Sequence, residues 1–443
     1  MKRCMGCGER MVAALALCAL IAPANAQTTA PERTAKITDF GAMADGKTDN
    51  TAAIQKAIDA LSQQGGGTLI VPAGAMPAIS AGAGGNAAGA FLSGALFLKP
   101  HVNLRLDKGA ILKGSTDIKA YPMTRTRIEG HFQEWAPALI NASEIDGLRI
   151  EGEGTLDGSG TPFYAAFRNA RGAKNLDVPR PRLLFISKST HVSITGIHLL
   201  NSGFWNLHLY DCQNVTVDGL DIRAPAGSPS TDGIDVDSCQ WITIKNTFIA
   251  NNDDCIALKG SKGVDAMEDK DSPPVEHIRV SNCTFAMGGS LLTCGSEATV
   301  VRDVVVEHCT VAGPETRGIS VLRLKLRTDT PQLYEDIHVT DITLDGVGTL
   351  INISPWTQYE TIPAGRARPT HTVRNISLSN MKGSFGAFGA VRGNAGDVIE
   401  KFTLEGMDIR FTGNATPGLG MVKELSVKDV VLNGTEYRPE AGR

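Results

Sequence analysis

Val192-Ser193-Ile194-Thr195-Gly196, Val215-Thr216-Val217-Asp218-Gly219 and Ile242-Thr243-Ile244-Lys245-Asn246 are three copies of one five-residue pattern, aliphatic-x-aliphatic-x-small or polar. Alternation of period two marks a strand with one buried face. Upstream the pattern reads Leu148-Arg149-Ile150-Glu151-Gly152. Downstream it reads Ile278-Arg279-Val280-Ser281-Asn282 and Val304-Val305-Val306-Glu307-His308, with later copies starting at Ile337, Ile376, Phe402 and Leu425. Starts lie 23 to 44 residues apart, and no convincing long helix fills the intervals. Strands repeated without crossover helices predict an all-β solenoid, a single-stranded right-handed parallel β-helix. Turns of about 22–27 residues stack on one another, and the longer spacings carry inserted loops. A sandwich or propeller would instead show strand-and-turn spacing of about 8–12 residues or four-strand blades.

The rest of the composition agrees. Of 443 residues, 42% are hydrophobic, 20% charged and only 5% aromatic, with 48 glycines, which suits many short strands and tight turns. A net charge of −4 argues against nucleic acid as a partner, and no apolar run of 18 residues predicts a membrane span. A solenoid reconciles the length with one domain over 27–443, expected to act as a monomer. Ahead of it, Lys2, Arg3 and Arg10 precede the apolar stretch 11–21 and Ala24-Asn25-Ala26. That is the layout of a cleaved signal peptide over 1–26, so a secreted or periplasmic protein is expected. Six cysteines remain after it. Cys212, Cys239, Cys283 and Cys309 recur at about the turn length and are expected as one ladder of buried free thiols. A helix over 49–61, with Asp49 as N-cap and Ile54, Ile58 and Leu61 on one side, is expected to cover the N-terminal end of the coil.

Chemistry concentrates in 230–260. Ser230-Thr231-Asp232-Gly233-Ile234-Asp235-Val236-Asp237 is followed by Asn251-Asn252-Asp253-Asp254-Cys255. Asp232 and Asp253 are separated by close to one turn, so on one face their backbones lie about 5 Å apart. Carboxylates at such range serve glycoside hydrolysis, one giving a proton and another activating water or attacking. Their proximity also pushes their pKa values apart. Aspartate-rich turns and calcium sites use the same residues, and spacing alone leaves these alternatives open.

Several segments together resemble glycoside hydrolase family 28, the polygalacturonases and their rhamnogalacturonan-degrading relatives. These are Asp39-Phe40-Gly41-Ala42 with Asp45-Gly46 and Asp49-Asn50-Thr51, the stretch from Gly152 to Gly160, Ser230-Thr231-Asp232, Asp253-Asp254 and Arg323-Leu324-Lys325. The resemblance implies an inverting hydrolase of α-linked galacturonosyl bonds in pectin, rhamnogalacturonan-directed or exo-acting forms included, with no metal or cofactor. It implies Asp253 as general acid, Asp232 and Asp254 as activators of water, and Arg323 and Lys325 as ligands of a substrate carboxylate. Two positions depart from the family pattern. Ser230 replaces an asparagine, and Gly288-Gly289-Ser290 stands where the family carries Gly-His-Gly, so the motif histidine is missing at Gly289.

Sparse aromatics near loops, Trp205, Trp356 and Tyr359, are candidates to stack on sugar rings or to fill the core. The charged loop 260–274 is expected to shape one end of a cleft or to be solvated. Two other functions compete. A β-helix polysaccharide lyase would form an unsaturated product, and a catalytically degenerate pectin-binding protein would bind without cutting.

Overall fold

A computed structural model describes residues 32–74, 89–313 and 318–439. The expected leader over 1–26 lies outside them. From Arg33 onward the chain forms one compact unit, a right-handed parallel β-helix.

The repeat found in the sequence is the coil's register. The third residue of every motif copy pairs with the third residue of the next: Ile150 with Ile194, Val217, Ile244, Val280, Val306, Val339, Leu378, Leu404 and finally Val427. These side chains stack in the interior and are buried almost throughout, Val427 on the last turn being partly covered. Three further rungs precede the first copy, in Thr34–Lys36, Gly67–Val71 and Val102–Leu106. Gly67–Val71 escapes the pattern because it is apolar nearly throughout, as a strand covered on both faces reads. Val102–Leu106 alternates like the copies but carries leucine at the fifth place.

Each motif copy is bracketed by corners. Its fifth residue has positive φ in all ten copies, from 50° at Asn380 to 124° at Gly152, and so does the residue just before it begins. Left-handed backbone disfavours β-branched side chains and tolerates glycine, asparagine and aspartate. The small or polar fifth position of the sequence pattern is therefore a conformational requirement.

A second sheet runs along another wall of the coil. Its ten strands stack in chain order, Leu96–Phe97, Ile140–Ser143, Leu184–Ser187, Leu207–Tyr210, Ile234–Asp237, Ile256–Lys259, Ser290–Cys294, Ile319–Arg327, Gly348–Trp356 and Ala387–Val391. We call this wall the site face.

Helix Thr51–Gln63 packs Ile54, Ala57, Ile58 and Leu61 onto the first strands, covering the N-terminal end as expected. Its N-cap is Asn50, one residue beyond the expected Asp49; the Asp49 carboxylate instead accepts from the Thr51 amide at 2.9 Å. The sequence reading missed a second helix, Thr161–Asn169, although Pro162 in its first turn is a start signal. All six cysteines are free and buried. They do not form one ladder of four: Cys212 and Cys239 stack at the corner before the motif strand, Cys283 and Cys309 at the corner after it. Spacing gives a residue's turn, not its phase around the turn. No helix among the described residues is long and apolar enough to cross a membrane.

Candidate active site

Asp232 and Asp254 each stand two residues before a site-face strand, and Ile234 pairs with Ile256. They therefore occupy equivalent places on adjacent turns, joined by the Gly233 amide donating to the Asp254 carbonyl at 2.9 Å. Asp253 precedes Asp254 in a turn held by Asn251, whose amide group donates to the carbonyls of Thr231 and Asp254 at 2.8 and 2.9 Å. That bend lets two consecutive aspartates face one cavity. A carboxylate oxygen from each of Asp232, Asp253 and Asp254 lies within 4.8 Å of the others.

Arg323 and Lys325 alternate along Ile319–Arg327 and so point to the same outer side. Lys325 Nζ lies 2.6 Å from Asp254 Oδ2, and Arg323 Nη1 lies 3.6 Å from Asp254 Oδ1. Ser290 Oγ donates to the same Oδ1 at 3.0 Å. Trp356, half-buried, lies against both cations, with its ring 4.9 Å from Lys325 Nζ and 5.4 Å from the Arg323 guanidinium carbon. Tyr359 lines the same cleft; Trp205 is buried in its floor.

These contacts divide the carboxylates. Burial works against ionisation of Asp254, but Lys325 and Arg323 outweigh it and hold the group well below the usual carboxylate range. Burial, with the Asp254 charge beside it, pushes Asp253 up. Asp232 is also raised, by burial and by Asp235. A cation could bridge three such carboxylates, yet the counter-charge here comes from protein ammonium and guanidinium groups.

Lys259 escaped the sequence reading. Although buried, it stays protonated because Asp232 and Asp235 lie 3.3 and 3.4 Å from its Nζ. Burial lifts Asp235 to about 7. The signal was present in Ile256-Ala257-Leu258-Lys259, where a lysine on an outward position follows an aspartate-rich strand by one turn. Glu129, Asn175 and Glu297 also line the cleft and were likewise missed.

Ser230 lines the same cleft as the three acids and begins a polar belt along it. Its hydroxyl donates to Asn175 Oδ1 at 2.7 Å, Asn175 donates to Glu129, and Lys262 Nζ lies 3.7 Å from Glu129 Oε2. Arg180 ties the same segment to the Pro229 carbonyl at 2.8 Å. This belt crosses the site face beside Asp232. Beyond it, toward the N-terminal turns, the outward side chains Phe185, His208, Tyr210 and Asp237 are all covered. The antiparallel pair Thr124–Ile128 and His131–Trp135 lies over them. Its Arg127 pairs with Asp237 at 3.1 Å, and Arg182 covers Phe185 and meets His208 Nδ1 at 2.7 Å. The cleft, of about 530 Å³, is blind on this side, and its acids sit at the blind end. Lys262, in loop 260–274, reaches Glu129, which lines the cleft.

At Gly289 a Cβ would lie 3.1 Å from Asp254 Oδ1 and 3.6 Å from Arg323 Nη1. The space a side chain would take there belongs to the Arg323–Asp254 approach.

The sequence profile described as glycosyl hydrolases family 28 matches residues 89–428. The chain belongs to glycosyl hydrolase family 28. A profile described as rhamnogalacturonase A/epimerase, pectate lyase-like, matches residues 34–76. Among curated relatives, a probable polygalacturonase of Vitis vinifera is 30% identical over 70% of this family 28 chain and 60% of its own length. An exopolygalacturonase of Zea mays is 25% identical over 90% and 89%. Among solved structures, the exopolygalacturonase of Thermotoga maritima superposes with a TM-score of 0.75 at 23% identity, covering 92% and 93% of the two chains. That likeness establishes the shared β-helix.

Proposed function

We propose that this family 28 hydrolase cleaves α-linked galacturonosyl bonds at the ends of pectic chains, by one displacement with inversion. The observation that carries the proposal is the carboxylate trio, with Lys325 seated on Asp254, at the blind end of the cleft. Asp253, raised by burial and by its neighbour, keeps the proton that the leaving glycosidic oxygen needs. Asp254, firmly ionised, takes a proton from water while Asp232, with Lys259 behind it, holds that water in line. The water oxygen bonds to the anomeric carbon as the glycosidic bond breaks, and each oxygen's proton count closes.

Carboxylates this close are nearer the spacing of about 5–5.5 Å found where one carboxylate attacks the sugar than the roughly 6.5–9.5 Å usual for inversion. Asp254, however, is spent on Lys325, Arg323 and Ser290, which makes it a poor nucleophile, and the same contacts keep it ionised, the state in which it can accept a proton from water. Arg323 and Lys325 offer a planar fork and a point charge to a uronate carboxylate, and Trp356 beside them offers a ring face. Ser230 acts through the belt, positioning Asn175 at the blind end. Residues 27–443 act as one domain, as a monomer outside the cytoplasm, after loss of the leader; the layout of 1–26 supports this.

The test is the product profile on defined galacturonan and rhamnogalacturonan oligomers, separated by chromatography. Chain-end action releases one short product of constant size from the first minutes, whereas a ladder of internal fragments would overturn it. Binding without any new reducing ends would favour a non-catalytic protein, and an ultraviolet-absorbing unsaturated product a lyase.

A further inference from the structure

The corner that opens each motif strand is left-handed on ten successive rungs, from Gly147 to Glu424. Nine carry glycine or a polar residue, among them His191, Asn214, His277 and Asp303. The tenth is Trp241, at φ 60°. A bulky aromatic in this backbone region is an outlier, and such outliers point toward function.

Burial does not explain it. Trp241 is 56% exposed, the most exposed large hydrophobic among the described residues. Its indole stacks on His277 of the next rung, with centroids 3.8 Å apart and planes 19° from parallel. His277 is hydrogen-bonded to Asp303 on the rung beyond, and the same carboxylate holds Arg279 at 2.7 Å. Asp303 thus fixes the supporting ring. On the rung before, exposed Asn214 is too short to cover the indole. The hollow there, of about 300 Å³, is bordered by Asn214, Thr216 and Thr243. A rigid ring face flanked by an amide and two hydroxyls suits a pyranose, whose axial C–H bonds pack on an aromatic while its hydroxyls find partners.

We infer that Trp241, on its His277 support, is a second carbohydrate site that holds a sugar ring of the polymer outside the catalytic cleft. The inference rests on the pectic substrate proposed above. A cleft blind at one end engages only a chain terminus, and a platform elsewhere on the same coil raises the effective concentration of that terminus. None of the platform residues lines the cleft.

The test compares the full chain with its Trp241→Asn variant, asparagine being the residue already accommodated at the corner before. Retardation in gels containing polygalacturonate measures polymer binding, and turnover of a galacturonate trimer measures the catalytic site. The expected result is polymer binding weakened about fivefold or more, with trimer turnover and melting temperature unchanged. A His277→Ala variant should show a smaller loss in the same direction. Retardation equal to that of the parent overturns the platform while trimer turnover still reports the enzyme. A fall in trimer turnover equal to the loss of retardation also overturns it, because the residue would then serve the cleft.

Discussion

The motif sheet and the site face are built on the same turns and in equally unbroken register, yet they differ in what lies outside them. On the motif sheet, each strand runs between two left-handed corners and its outer side is largely solvent. On the site face, outward side chains are covered up to Asp237, whereas Arg323 and Trp356, further along, are partly exposed to the cleft. A repeat can therefore set the spacing of Asp232 and Asp254, but it does not decide where a groove stops. That boundary comes from the 124–135 hairpin and from Asn175, inserted between turns and folded over them.

The comparison breaks most severely at the acids. Asp253→Asn keeps size and the turn but removes the transferable proton, so release of reducing ends should fall about a thousandfold with an unchanged melting temperature. Activity within a few-fold of the parent would detach the chemistry from this face. Lys325→Met should cost less, about ten- to hundredfold in kcat/KM, since Arg323 and Ser290 still hold Asp254. It should also leave a signature in pH. Lys325 lowers the Asp254 pKa, and the base must be ionised, so removing the cation moves the acid limb of the activity profile to higher pH. An acid limb that stays in place would mean that Asp254 is not the base.

Much of this was legible beforehand. The turn length, the phase of ten strands and the placing of Asp232 beside Asp253 follow from residues one winding apart, whereas Asp254, Arg323 and Lys325 stood out only through the resemblance to family 28 motifs. The remainder depends on contacts between segments with no fixed spacing. Lys259 looks like a solvated charge until the covering loops bury it against Asp235. Ser230, a candidate substrate ligand in the cleft, also donates to Asn175, 55 positions earlier, a contact that no spacing in the sequence announces. The four cysteines fall at two corners because period alone does not resolve phase. At Gly289 the missing histidine is plain in the sequence, whereas what takes its space, the Arg323–Asp254 approach, required coordinates.

On the motif sheet the expected effect is the smallest and purely structural. Asn282 is exposed at φ 54°, so Asn282→Val should destabilise by about 1–2 kcal/mol, and Asn282→Gly by a few tenths at most. Chemical denaturation of both variants checks this, and equal stabilities would contradict the corner argument. Activity should be unaffected in either.

Whether water attacks directly is read most simply from the first sugar released. Proton NMR of an oligogalacturonide digest, followed before mutarotation, should show the β-anomer of the new reducing end appearing ahead of the α-anomer. If the α-anomer appears first, the sugar has passed through a covalent intermediate, and the roles given to Asp232 and Asp254 are wrong.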